Sequence, residues 1–330
     1  MSSNTKSALR PAAKPRRKKR AKKGRMTLWR DIARNPFSYL LLLPGIAYTL
    51  IYGYFTLPWA VMAFQNFSPV KGIFGSEFVG LKKLEFFFTS TNCLTVTVNT
   101  IVLNLMYIST GVIFSVLMAM FIFEVSERMR RTTRVVQSCF LLPNFLSWIV
   151  ISYIVYIMLS TEMGFVNQLL QFFGMEKVRW YSDPGPWRHI LTFVNLWKNA
   201  GVDIIIYLAV LTGIDAELYE AATIDGANRF TMAIRITLPL LTPTICILTL
   251  MAIGRIFFGN FNMIYAIVKD NGVLFETTDI IDTYVFRAFR VGGDISQSTA
   301  IGLYQSLVGF LTVLGANKIV KKIYPEGALF

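Results

Sequence analysis

The sequence predicts an all-α, polytopic membrane protein with six transmembrane helices. Two observations carry that reading. Of 330 residues, 54% are hydrophobic and only 16% are charged, with mean hydropathy +0.50, whereas soluble domains carry about 25% charged residues. The charge is also segregated. Residues 1–35 hold 13 of the 33 Lys and Arg residues against a single acid, Asp31, and the long remainder is nearly neutral. A single soluble core stops growing beyond roughly 250–300 residues, so one soluble globular domain is excluded.

A spanning helix needs about 20 mostly apolar residues. Residues 35–70 contain no Asp, Glu, Lys or Arg, and Phe37–Trp59 is the expected first span. The charge-free stretch 86–123 gives the second, Leu94–Phe123, and residues 135–161 give the third, Val136–Ser160. Ile190–Thr212 is the fourth, interrupted by Lys198 and Asp203. Leu238–Phe261 is the fifth, interrupted by Arg255, and Thr299–Val320 is the sixth. Pro44, Pro58, Pro143 and Pro243 are expected to kink these helices. The chain therefore divides into a basic tail (1–35), a six-helix membrane domain (36–323) and a short C-terminal tail (324–330).

An even number of spans puts both termini on one side, and the distribution of Lys and Arg selects it. The N-terminal tail, loops 124–135 and 213–237 and the C-terminal tail together carry 22 of them. The loops at 60–92, 160–189 and 262–298 carry nine. Both termini are expected to be cytoplasmic. The first apolar run is too long and begins too late for a cleaved signal peptide. The basic run Lys14-Pro-Arg-Arg-Lys-Lys-Arg20 has the composition of a nucleic-acid patch, but beside a span it reads as an anchor attracted to anionic lipid.

Several chemistries lack their residues. Cys93, Cys139 and Cys246 form no Cys-x-x-Cys pair and read as buried thiols, and His189 is the only histidine, so a usual zinc site cannot be built. There is no Gly-x-x-x-x-Gly-Lys-Ser/Thr loop for ATP, and no Gly-x-Ser-x-Gly or His-Glu-x-x-His. The external loops, such as Trp180-Tyr-Ser-Asp-Pro-Gly-Pro-Trp187 and Asp270-Asn-Gly272, are short, so a soluble partner must supply high-affinity capture of any solute.

The loop at 213–239 carries the most specific signal. Asp215 can N-cap a helix with Glu217 and Glu220 in its early turns, and Gly226 can end it in a left-handed conformation. Asn228 can cap a second short helix leading to Pro239. This predicts two short helices flat on the cytoplasmic surface, with the small pair Ala221-Ala222 allowing close approach to a partner groove and Glu220 offering a charge to a partner Arg. The bland alternative is an ordinary amphipathic connector.

Glu220-Ala-Ala, three residues, Gly226, nine residues, Ile236, one residue, Leu238-Pro239 resembles the EAA signature of ABC-importer permeases at every position. Leu208-Ala-Val-Leu-Thr-Gly-Ile214 resembles the carbohydrate branch, the maltose-permease type. Asp279-Ile-Ile-Asp-Thr-Tyr-Val-Phe-Arg287 and Ser298-Thr-Ala-Ile-Gly-Leu-Tyr-Gln-Ser306 resemble permeases for oligo- and polysaccharide fragments. The resemblance covers about residues 35–323. It implies a type I importer permease fold in a bacterial inner or plasma membrane. It also implies a second homologous permease, a pair of ATPase subunits that bind ATP and Mg, and an extracytoplasmic solute-binding protein. This chain itself would hold no cofactor. Glu220, Ala221, Ala222 and Gly226 would couple the ATPases to transport.

Ionisable residues inside spans usually face a cavity. Asn195, Lys198, Asn199 and Val202 fall on one helical face. Laid on the maltose-type pattern, these four and Arg255, Ile256, Gly259 and Phe261 match its sugar site. Asn195 keeps the family's amide, while Lys198 and Arg255 replace neutral residues with cations. A carboxylate-bearing sugar suits charge-assisted bonds from Lys or Arg, so the expected cargo is an acidic oligosaccharide, alginate- or pectin-like. The alternative is that Lys198 pairs with Asp203 or a partner's carboxylate and Arg255 braces a helix, with neutral cargo. Tyr153, Tyr156, Phe257, Phe258 and Tyr265 are candidates for stacking on sugar rings. An intramembrane enzyme has only Lys198 and Asp203 to draw on, and a secondary transporter usually shows inverted repeats, which are not evident here.

Overall fold

A computed structural model describes residues 32–126 and 129–323. The basic tail over residues 1–31 and the C-terminal tail 324–330 lie outside the described residues. The chain divides into two compact units, Met1–Pro58 and Trp59–Phe330.

In the first unit, helix α1 (Pro36–Thr49) continues through a π-helical turn, Leu50–Tyr54. Pro36 starts it where a missing N–H costs nothing, and Pro44 lies within it. None of its side chains is buried. Thr49 and Thr56 turn their hydroxyls back onto the Gly45 and Tyr52 carbonyls, both at 2.9 Å. A lipid-facing helix must satisfy its polar groups internally in this way.

The second unit begins within a 3-10 helix, Leu57–Phe64, which leads into a two-residue antiparallel ribbon, β1 (Gln65–Asn66) and β2 (Glu77–Phe78), with Gln65 opposite Phe78. The rest is helical. In order come α2 (Gly72–Gly75), α3 (Lys82–Thr89), α4 (Thr91–Ser126), α5 (Arg130–Leu141), α6 (Trp148–Leu159), α7 (Phe165–Phe172) and α8 (Trp187–Leu211). Then follow α9 (Ala216–Ile224), α10 (Arg229–Met232), α11 (Leu238–Ile253), α12 (Phe261–Val268), α13 (Phe275–Thr278), α14 (Ile281–Arg290) and α15 (Ile295–Ile323). The central element is α8. One end of it, with Trp187 and Leu191, packs into a cluster with Ile151, Met263 and Ile267. The other end, with Ile204 and Tyr207, packs with Val116 and Leu241.

Among the described residues, five helical runs are long and apolar enough to cross a membrane: Pro36–Phe64, Thr91–Ser126, Trp187–Leu211, Arg229–Ile253 and Ile295–Lys322. The expected third span is not a continuous helix. Arg130–Phe145 and Trp148–Leu159 meet at a 99° bend, because Pro143 sits in a 3-10 turn (Leu142–Phe145) and Ser147 restarts the chain as the N-cap of α6. The fifth span also differs from expectation. It begins earlier, at Arg229, and its helix stops at Ile253, so Arg255 lies on irregular backbone beyond it.

Candidate functional site

The 213–239 loop folds as its capping residues require. The Asp215 carboxylate accepts the Glu217 N–H at 3.1 Å, and the Asn228 side chain accepts the Thr231 N–H at 2.8 Å. Between them, the Gly226 N–H bonds to the Thr223 carbonyl and the Ala227 N–H to the Ala222 carbonyl. This is a Schellman end, and it needs the left-handed φ of +78° that Gly226 supplies. Glu220, Ala221 and Gly226 are exposed, and Ala222 is half-buried. The loop is braced from behind. The Tyr219 ring packs 6.0 Å from the Phe123 ring of α4, its hydroxyl is 3.0 Å from Thr237 Oγ1, and Arg229 is ion-paired with Glu124. A cavity of about 780 Å³ lies behind the loop, lined by Glu124, Tyr219, Glu220 and Arg229.

The second feature is the break at 254–260. Non-helical backbone at membrane depth is tolerated only where its polar groups are met by protein or water. Here they are met by side chains. Asn104 Nδ2 donates to the Ile256 carbonyl at 2.9 Å, and Gln305 Nε2 donates to the Phe257 carbonyl at 2.6 Å. The Asp282 carboxylate accepts the Gly259 N–H at 2.7 Å and the Gln305 amide at 3.1 Å. Asn260 then caps α12 through the Met263 N–H. Arg255 projects from this segment, exposed, and its side chain makes no hydrogen bond or ion pair to any described residue. Its neighbours differ from expectation. Ile256 is only 8% exposed and packs with Phe257 and Ile301 in the core. Gly259 is closely packed, since a Cβ there would come within 2.3 Å of the Ile280 Cδ1 methyl and displace it. Phe261 stacks on Tyr265 at 5.3 Å and packs on Phe286.

On α8, Asn199 Nδ2 donates to Asn195 Oδ1 at 2.9 Å, and Val202 is exposed, so these three present one accessible strip. Lys198 does not join it. Its side chain is buried, and its ammonium donates to the backbone carbonyls of Pro143, Asn144 and Leu146 at 3.4, 2.8 and 2.6 Å. No ion pair with Asp203 forms. An ammonium has three donors, and all three are directed to carbonyls, which leaves none for a solute.

A groove of about 730 Å³ runs between α6 and α12, lined by Trp148, Ser152, Tyr153, Asn262, Tyr265 and Lys269. It adjoins a smaller hollow with Tyr156 and Tyr181. Burial, helped by neighbouring Tyr156, pushes the Tyr181 hydroxyl up to about 12, so it stays a neutral donor. Phe257 belongs to the core and Phe258 abuts Gly309. Sequence reasoning missed Trp148, Asn262 and Lys269. Lys269 holds a left-handed φ of +55°, which nothing in a Val-Lys-Asp-Asn string announces. It also missed Glu124, although a lone acid ending a charge-free span was a usable signal.

Residues 111–323 match the family described as binding-protein-dependent transport system inner membrane component. The chain is 34% identical over 306 residues to the polygalacturonan/rhamnogalacturonan transport system permease protein YteP of Bacillus subtilis, covering 93% of this chain and 94% of that protein. It is 32% identical to protein LplB of the same organism, covering 90% and 92%. A crystal structure of a bacterial alginate ABC transporter, in complex with alginate pentasaccharide-bound periplasmic protein, contains a chain that superposes with a TM-score of 0.81. That match has 32% identity and covers 90% of this chain and 98% of the other.

Proposed function

The chain belongs to the family of binding-protein-dependent transport system inner membrane components, and from this premise we propose that it forms half of the pore through which an acidic oligosaccharide is imported. It is a permease subunit of an ABC importer, and ATP hydrolysis belongs to its partner subunits. Such a permease works with a second permease, ATPases and a solute-binding protein.

The observation that carries the cargo reading is Arg255. Its guanidinium stands on a backbone segment locked by Asn104, Gln305 and Asp282, and it has no partner within the described residues. A guanidinium is suited to bidentate bonds with a carboxylate. The similarity to proteins named for polygalacturonan and alginate, both chains of uronate sugars, supports the same class. Asn195, Asn199, Val202 and Phe261 are retained as neutral contacts along the path, and Trp148, Tyr153 and Tyr265 as stacking surfaces. Both termini and the 213–239 loop are assigned to the cytoplasmic face by the excess of Lys and Arg there. Glu220, Ala221, Ala222 and Gly226 are assigned to the ATPase contact. Closure of the ATPases then shifts the permease pair between inward- and outward-facing arrangements.

The test is binding-protein-dependent uptake by the complex reconstituted in vesicles with its partner permease and ATPases. A panel of uronate and neutral oligosaccharides of equal length is compared. Preferential uptake of the uronates is expected, and equal or better uptake of neutral chains sinks the reading.

A further inference from the structure

We propose that Lys198 is a positioning residue that pins the joint of the broken third span, and that it acts on transport without touching cargo. The joint is where α5 ends and α6 departs at 99°. A helix end leaves backbone carbonyls without intrahelical partners, and at membrane depth each needs another donor. The chain meets this need from a neighbouring helix. Lys198, on α8, sends its ammonium to the carbonyls of Pro143, Asn144 and Leu146, which lie within and just after the 3-10 turn. Trp148, the first residue of α6, holds its ring 5.2 Å from the same nitrogen. One turn along α8, Gly201 lets the two helices touch, since a Cβ there would collide with the Phe140 carbonyl. A point charge with three divergent donors suits three converging carbonyls, whereas the planar fork of Arg does not.

The joint connects two parts with different roles. On one side, α5 and α8 pack into the cluster that reaches Leu211, just before the 213–239 loop. On the other, α6 carries Trp148, Ser152 and Tyr153 into the groove facing α12. Rigid parts that move about a bend need that bend held at a fixed place. Lys198 holds it to α8, so displacement at the loop end is passed to the groove wall.

The inference rests on the transport reading, and the experiment separates the two. The complex is reconstituted with wild-type, Lys198→Met and Lys198→Gln subunits, and uptake and ATP hydrolysis are measured per assembled complex for a uronate and a neutral oligosaccharide. Amide hydrogen exchange over residues 142–148 is followed on the same samples. Lys198→Met leaves the Asn144 and Leu146 carbonyls unmet, the Pro143 carbonyl keeping the Leu146 N–H, and uptake per ATP is expected to fall about tenfold or more. Lys198→Gln, with two donors, should recover part of it. The fall is expected to be equal for both sugars, with the KM for each unchanged and exchange at the joint faster. A rise in KM confined to the uronate would make Lys198 a cargo ligand and overturn the proposal. So would wild-type uptake and exchange by Lys198→Met, or failure of both variants to assemble, which assigns Lys198 to folding alone. Absence of binding-protein-dependent uptake by the wild type defeats the transport reading instead, and the exchange measurement still decides the pin.

Discussion

The Arg229 guanidinium is ion-paired with the Glu124 carboxylate, which fastens the segment after Gly226 to the end of α4. The two side chains are 50% and 45% exposed, and a pair so wet contributes only about 0.2–1 kcal/mol. Its value is therefore in position rather than stability. Glu124→Gln is expected to lower sugar moved per ATP roughly two- to fivefold with little change in melting temperature. The exchanged pair Glu124→Arg with Arg229→Glu should restore the ratio. Failure of the exchange to restore it assigns the loss to something other than the ion pair.

Gly226 holds a φ of +78° with open space around its Cα. A side chain there meets no clash, but a non-glycine residue in that conformation costs roughly 1–2 kcal/mol. It also places bulk on the exposed turn. Gly226→Leu is expected to leave the chain in the membrane while ATP hydrolysis no longer drives uptake. Normal uptake by this variant removes the loop from its assigned role.

Arg255 differs in kind, because removing it leaves no buried partner behind. A hydrogen bond to a charged group contributes about 1.5–3 kcal/mol, so Arg255→Met is expected to weaken uronate transport by roughly 10- to 100-fold. Neutral oligosaccharides should be spared. Equal losses for both sugars, measured as kcat/KM in vesicles, return Arg255 to a structural role.

Asn104 tests the scaffold beneath Arg255. Asn104→Leu removes the donor to the Ile256 carbonyl, and an unmet buried carbonyl costs about 1–3 kcal/mol. The expected outcome is a lower melting temperature of the detergent-purified complex. An unchanged melting temperature together with unchanged uptake means that water replaces the amide.

Much of this was legible in the sequence, and the limits have physical causes. The spans followed from composition, because lipid imposes one length and one polarity on every crossing. The loop followed from Asp215, Gly226 and Asn228, because capping is local and each residue acts within a turn of itself. Lys198 was less legible. Its helical position fell on the same face as Asn195 and Asn199, but a side chain that long reaches a neighbouring helix, and periodicity says nothing about where it ends. The two breaks escaped for a related reason. Pro143 warned of one, whereas the other depends on Asn104, Asp282 and Gln305, each remote in sequence from Phe257. Those contacts give the Asp279–Arg287 and Ser298–Ser306 motifs a physical content. Asp279 also receives Thr283 at 2.7 Å and binds Arg287, which lies over the Phe275 ring.

The sealing of both breaks from within the chain has a consequence for how this half-pore meets its other half. A helix interrupted inside a bilayer ordinarily needs a neighbour to cover its bare carbonyls, and that neighbour is then held in place. Here Lys198, Asn104 and Gln305 close the gaps before any second subunit arrives. The surface offered to the partner can therefore slide or part without uncovering backbone to lipid, as a gate that must open and shut on every cycle requires.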